Sequence, residues 1–243
     1  MRLNKYLAQA GISSRRKADE LIAGGHVQIN GRQVTTPGEE VGPEDVVEVD
    51  GQAIEPIGQR VVYLLHKPSG AISTVSNTHG RRTVVDLIRD SRRLFPVGRL
   101  DRDTTGALLI TNDGELANIL THPRYGIERR YIAEVRGRLS ARAVSALATG
   151  LTIEGGMRVR AQVRRLRGRG QRTVYQLRMT EGKNREVKRI FKHFRLPLIR
   201  LHRRSFAGLT ADNLPEGRYR RLSKHEIAAL YKMVNMPESP QAS

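Results

Sequence analysis

Asp101 is a residue whose type could do chemistry. It follows Gly98-Arg99-Leu100 and precedes Thr104, Thr105 and Gly106. Next comes an apolar run, Ala107-Leu108-Leu109-Ile110, that reads as a buried strand. A carboxylate in a loop entering the core is either a structural cap or a reactive group, and the residue pattern alone favours the cap. Asp103 and Asp113, in the same stretch, read as turn formers. Arg99 is a phosphate contact or an ion-pair partner on this reading, and Arg185 a phosphate ligand. Tyr131 opens a strand, where a tyrosine is usually core.

These residues need a scaffold. Tyr131–Val135, Val159–Leu166 and Val174–Met179 read as strands, and Ala141–Ala148 and Arg185–Phe194 as helices. Strands and helices mix without strict βαβ alternation. That predicts an α+β domain with a mostly antiparallel mixed sheet flanked by helices, over residues 61–232. Within it, residues 158–172 carry seven arginines and no acid. Their centre, Arg167-Gly168-Arg169-Gly170, reads as a flexible turn that either grips phosphate or is only solvated. Residues 54–60 read as a linker, and residues 233–243 as a disordered tail.

Ahead of this lies a smaller module. Residues 3–10 read as a helix with Leu3, Leu7 and Ala10 on one face. Ser13 or Ser14 caps a second helix through Ala23, with Ala18, Leu21 and Ile22 inward. Arg15, Arg16 and Lys17 occupy that helix's first turn, where cations oppose the macrodipole. They are either phosphate ligands or a solvated basic turn. Asn30-Gly31, set between alternating apolar residues, is a hairpin signal. The words "LNKYLAQAGISSRRKADELIAGGHVQINGRQV" and "EDVVEVDGQAI" resemble the S4 RNA-binding domain over residues 1–53. The resemblance implies that Arg15, Arg16 and Lys17 lie against structured RNA.

The chain of 243 residues has a formal net charge of +19, which implies a polyanionic partner, nucleic acid first. The charge is uneven: residues 1–53 hold six Lys+Arg against eight Asp+Glu, leaving 37 against 16 beyond them. No cysteine is present, so disulfides, thiol nucleophiles and cysteine-ligated metals are excluded. No apolar run approaches membrane-spanning length. The expectation is a cytoplasmic protein, monomeric and without a membrane partner.

Gly98 to Gly106, "GRLDRDTTG", resembles the active-site signature of pseudouridine synthases, in particular the S4-domain-bearing group that modifies ribosomal RNA. "LLHKPSG" (64–70), "ERRYIAEV" (128–135) and "TEGKNREVKRIF" (180–191) fit the same family, in its order. "TNDGELANILTHP" and "LPEGRYRRLSKHEI" are more like its large-subunit branch. The resemblance implies isomerisation of uridine to pseudouridine in ribosomal RNA, 23S or its precursor, with no cofactor or metal. It makes Asp101 the nucleophile, acting either by abstraction to give a glycal or by direct attack. Arg99 would fill the gap left by a flipped base, and Tyr131 would stack on that base and assist proton transfer at C5. A basic residue would keep Asp101 ionised: Lys188, or else Arg185. Val187 and Leu109 would shape the pocket wall. The alternative from another class is a non-catalytic S4-type RNA-binding or ribosome-assembly factor.

Overall fold

A computed structural model describes residues 1–55, 59–75 and 80–235. The packing of the backbone separates two compact units. One is Met1–Val61 with Ser91–Arg93 and Asn112–Gly114; the other holds the remainder. No helix among the described residues is long and apolar enough to cross a membrane.

In the first unit, α1 (Leu3–Gln9) and α2 (Arg15–Ala23) precede four short strands: β1 (Val27–Ile29), β2 (Arg32–Val34), β3 (Val47–Val49) and β4 (Gln52–Ile54). All pair antiparallel, in the order β2-β1-β3-β4. The Ser14 side chain caps α2 by accepting from the Lys17 amide at 3.2 Å. Asn30 and Gly31 both take positive φ, 51° and 76°, as a tight hairpin turn demands. Leu3, Leu7, Ala18 and Ile22 bury one face of each helix against Val27, Val34 and Val47. The Tyr6 hydroxyl donates to the Ile54 carbonyl at 2.9 Å. Ile54, read as the first linker residue, therefore ends a strand of this core. Residues 56–58 lie outside the described residues.

The second unit is built on one mixed sheet. Its strands are β5 (Val62–Lys67), β6 (Phe95–Pro96), β7 (Thr105–Thr111), β8 (Arg129–Arg136), β11 (Gln162–Arg169), β12 (Arg172–Met179), β13 (Leu198–Phe206), β14 (Leu209–Thr210) and β15 (Tyr219–Arg221). A separate pair is β9 (Leu151–Ile153) with β10 (Met157–Val159). The main order is β11-β12-β8-β13-β7-β5-β15; β14 joins β13 and β6 joins β7. Among the described strands, β13 and β7 are the pair that runs parallel. The expected mostly antiparallel α+β sheet is what forms.

Every residue of β7 is buried, as its unbroken apolar run predicts for a central strand. In β12, Thr173, Tyr175, Leu177 and Met179 alternate inward. They pack with Val187, Ile190 and Phe191 of α5 (Glu186–His193) and with Leu147 of α4 (Ala141–Thr149). A second cluster joins Leu64, Leu109 and Phe206 to Leu116 and Leu120 of α3 (Gly114–Thr121) and Leu230 of α6 (Lys224–Asn235).

Three expectations are corrected. Val159–Leu166 is not one strand: β10 ends at Val159, the Ala161 amide turns to the Leu147 carbonyl at 2.9 Å, and β11 starts at Gln162. Arg167-Gly168-Arg169 is not a turn. A bulge between Arg165 and Arg167 resets the register, the strand runs on to Arg169, and Gly170 at φ 55° makes the turn with Gln171. Residues 233–235 belong to α6, whose first turn Ser223 and Glu226 close reciprocally. Residues 236–243 lie outside the described residues.

Candidate active site

The loop carrying Asp101 is tied down from beneath. Lys67, at the end of β5, is fully buried, and its Nζ donates to the carbonyls of Pro68 (3.0 Å), Arg102 (3.2 Å) and Thr104 (2.9 Å). Burial pushes this lysine down to about 8, with the Asp103 and Asp101 carboxylates opposing the shift. The Gly70 amide reaches the Arg102 carbonyl at 2.8 Å. Ser73 bridges the amide and carbonyl of Leu100 at 3.1 and 3.0 Å. Gly106 closes the segment at φ 113°; a Cβ there would lie 2.2 Å from the Arg203 carbonyl oxygen. No other residue fits, which explains the glycine after Thr104-Thr105.

So held, Asp101 faces α5. Its Oδ2 lies 2.9 Å from Lys188 Nζ and 3.8 Å from Arg185 Nε. Of the two basic candidates, Lys188 makes the close contact. Asp103 lies in the turn its residue type predicts, and it also reaches Lys188, at 2.5 Å. Two carboxylates on one ammonium explain the shifts. Burial disfavours the Lys188 cation, yet its hydrogen bonds to Asp101 and Asp103 hold it above the usual lysine value. The Lys188 hydrogen bond in turn holds Asp103 below the usual carboxylate range. Arg185 is at left-handed φ 50°, just before α5, and is exposed.

Asp101, Arg99, Tyr131, Arg185, Lys188 and Val187 line one cleft of about 140 Å³. Tyr131 is half-buried on β8, directly opposite Arg203 of β13. Arg99 is exposed at the mouth. The floor is apolar, from Leu100, Met179, Leu201 and Phe206. Leu109 is not part of it: its side chain is spent on the core beside Leu64 and Leu116. Arg15, Arg16 and Lys17 are exposed in the first turn of α2, in the other unit.

The sequence reading did not single out two buried cations of this cleft. Arg129 donates to the carbonyls of Ile127 (2.8 Å) and Thr180 (2.9 Å). Arg203 donates from Nε to the Ala107 carbonyl at 2.7 Å and is only 2% exposed. Both guanidinium groups lie against the Phe206 ring, at 5.2 and 4.7 Å. Glu186 is buried nearby, and desolvation raises its pKa. The signal for these residues was a charged side chain on the inward register of an otherwise apolar strand, legible only once strand pairing is known. Together the groups make a cleft rich in cations that holds the Asp101 carboxylate, suited to a polar ring carried on a polyanion.

The chain is similar to known proteins. The family model described as RNA pseudouridylate synthase matches residues 61–193, and the S4 domain model matches residues 1–47. The chain is 40% identical to the Bacillus subtilis protein named ribosomal large subunit pseudouridine synthase B, over 94% of this chain and 95% of that one. It is 33% identical to the Escherichia coli dual-specificity RNA pseudouridine synthase RluF, over 98% of this chain and 81% of that one. A solved structure titled as a pseudouridylate synthase superposes with a TM-score of 0.67 at 26% identity, covering 95% and 99% of the two chains.

Proposed function

The chain belongs to the RNA pseudouridylate synthase family, and we propose that it isomerises a uridine of 23S ribosomal RNA or its precursor, with Asp101 as the nucleophile. The C1′–N1 bond breaks, the base turns over within the cleft, and a C1′–C5 bond forms while C5 loses its proton and N1 gains one. No atom is lost and nothing is oxidised. Asp101 acts on the ribose beside the breaking bond. Lys188 supplies the positive charge beside it as the entering base expels water. Arg99, at the mouth, takes the place of the flipped base in the stack, where a planar guanidinium both stacks and donates hydrogen bonds. Tyr131 stacks on the base inside. In the S4 unit, Arg15, Arg16 and Lys17 orient the RNA. Action on ribosomal RNA supports a cytoplasmic location.

The observation that carries this reading is the Asp101–Lys188 pair, at 2.9 Å inside the cleft that Arg99 and Tyr131 also line. A non-catalytic RNA binder gains nothing from a carboxylate there, since it repels phosphates. The test is Asp101→Asn. Pseudouridine formation on ribosomal RNA is expected to vanish while RNA affinity stays within about twofold, because the phosphate contacts are untouched. Full activity in this variant removes Asp101 as the nucleophile. Mapping pseudouridine in ribosomal RNA from cells with and without the protein names the position, and loss in the small subunit overturns the 23S assignment.

A further inference from the structure

Strands β8, β11, β12 and β13 carry twelve arginines and not one lysine. Arg203 and Arg129 go into the cleft, but most of the others lie on the opposite side of the sheet. The alternation along β8 settles the side. Its register with β12 is unbroken from Arg129 to Arg136, so Tyr131 and Arg136, five residues apart, lie on opposite faces. They are separated by about 17 Å along the strand.

At one end of this outer face the register stacks like charges. Arg169 of β11 is directly opposite Arg172 of β12, and Arg172 is directly opposite Arg136 of β8. Cross-strand neighbours stand about 5 Å apart, and like charges so placed are destabilising. Arg167, opposite Val174, joins the row. All four arginines are exposed. The local acid is Glu134, and Arg172 already pairs with it at 3.4 Å. Arg136, Arg167 and Arg169 have no ion-pair partner among the described residues. The six residues border one open groove of about 710 Å³.

The neighbouring arginines of this face show the contrast. Arg130 and Arg178 share Glu128, Arg200 has Glu216 and Arg204 has Asp212. These four arginines have carboxylate partners, whereas Arg164 and three of the groove's four have none among the described residues. Protection of an exposed sheet edge would account for charges on β11. It does not account for Arg172 and Arg136, which are on interior strands. Arg is also the side chain whose planar fork matches phosphate oxygens.

We propose that this groove binds the phosphodiester backbone of the RNA substrate at a segment distinct from the one that delivers uridine to the cleft. The inference rests on the RNA substrate assigned above. It gives the catalytic unit a second RNA contact on the face turned away from its active site, which favours long, folded RNA over short fragments.

The test uses the full chain and an in vitro transcript of 23S ribosomal RNA. The variant combines Arg136→Gln, Arg167→Gln and Arg169→Gln, none of which lines the cleft. The slope of log affinity against log salt is expected to fall in magnitude by about 2, three contacts at about 0.7 each. Affinity at 0.15 M salt is expected to weaken at least tenfold, on the order set by that slope. Turnover at saturating transcript should match the parent. The thermal midpoint should hold or rise, because like-charge repulsion is relieved. The matching triple lysine variant should keep the parent's salt slope. An unchanged slope in the glutamine variant overturns the proposal, and so does a fall in saturated turnover with affinity intact. If the triple variant fails to fold, Arg169→Gln alone should lower the slope by about 0.7. Failure of the parent to form pseudouridine on the transcript would instead count against the substrate, and the binding data would still stand.

Discussion

Lys188 holds two carboxylates with one ammonium, Asp101 at 2.9 Å and Asp103 at 2.5 Å, with its own side chain 16% exposed. Removing it leaves Asp101 facing only Arg185, at 3.8 Å. Breaking a mostly buried pair by deleting one member costs about 3–5 kcal/mol, and Asp101 is partly solvated, so about 2–3 kcal/mol is expected here. Lys188→Met should therefore lose about that much stability in urea denaturation, and kcat/KM for pseudouridine formation should fall. Lys188→Arg keeps the charge but replaces a compact ammonium with a longer planar fork, and should recover part of that loss. Equal activity in both variants would show that Arg185 suffices as the partner. The Asp103 contact was hidden from the sequence for a simple reason. A residue two positions after Asp101 in a turn-forming segment gives no sign that it bends back toward a helix beginning 83 residues later.

Among the elements, α6 shows how a few side chains stop and start a helix. Glu226 accepts from the Ser223 amide at 2.9 Å, and the Ser223 hydroxyl accepts from the Glu226 amide at 3.2 Å. Arg220 adds a bidentate pair to Glu226 at 2.7 and 3.0 Å. The Arg220 hydrogen bonds, with those of Ser223, pull Glu226 down to about 2 against the mild opposition of burial. A carboxyl whose folded pKa lies below its unfolded value stabilises above the unfolded value and loses that contribution as pH falls through the folded one. Glu226→Gln should lower stability by about 1–2 kcal/mol at pH 7, discounted for the partial exposure of the pair. The gap from the parent should narrow from about pH 4.5 and close near pH 2, as followed by urea denaturation across pH. The serine–glutamate spacing is visible in "LSKHEI" as a capping-box pattern. Periodicity placed most elements well: β7 as an apolar run, β12 by alternation, α5 by Val187, Ile190 and Phe191. It misplaced the β11 turn because a bulge shifts register without changing composition, and because Gly168 competes with Gly170 as the obvious turn residue.

Across the whole molecule, the charge is spread unevenly along the chain. The S4 unit's bases are gathered at one end of its sequence: residues 1–32 hold six Lys+Arg, and residues 33–53 hold six acids and no base. The net +19 therefore comes from residues beyond 53. Composition alone could assign a polyanionic partner but not divide the labour between capture and orientation. The exposed trio Arg15, Arg16 and Lys17 sits at a helix start that the Ser14 cap already satisfies. Three cations there oppose the macrodipole by about 0.3–1 kcal/mol each at low salt, so a helix built only for stability would not carry them. Changing all three to Gln should raise the thermal midpoint slightly and weaken RNA binding. The salt slope should lose about 2, as three phosphate contacts at about 0.7 each require. Because none of the three lines the cleft, the loss should appear in KM and not in kcat, measured as pseudouridine formed at rising ribosomal RNA concentration. A matching fall in kcat would mean that the trio also sets how the uridine enters the cleft. An unchanged KM would leave capture of the RNA to the catalytic unit's own arginines.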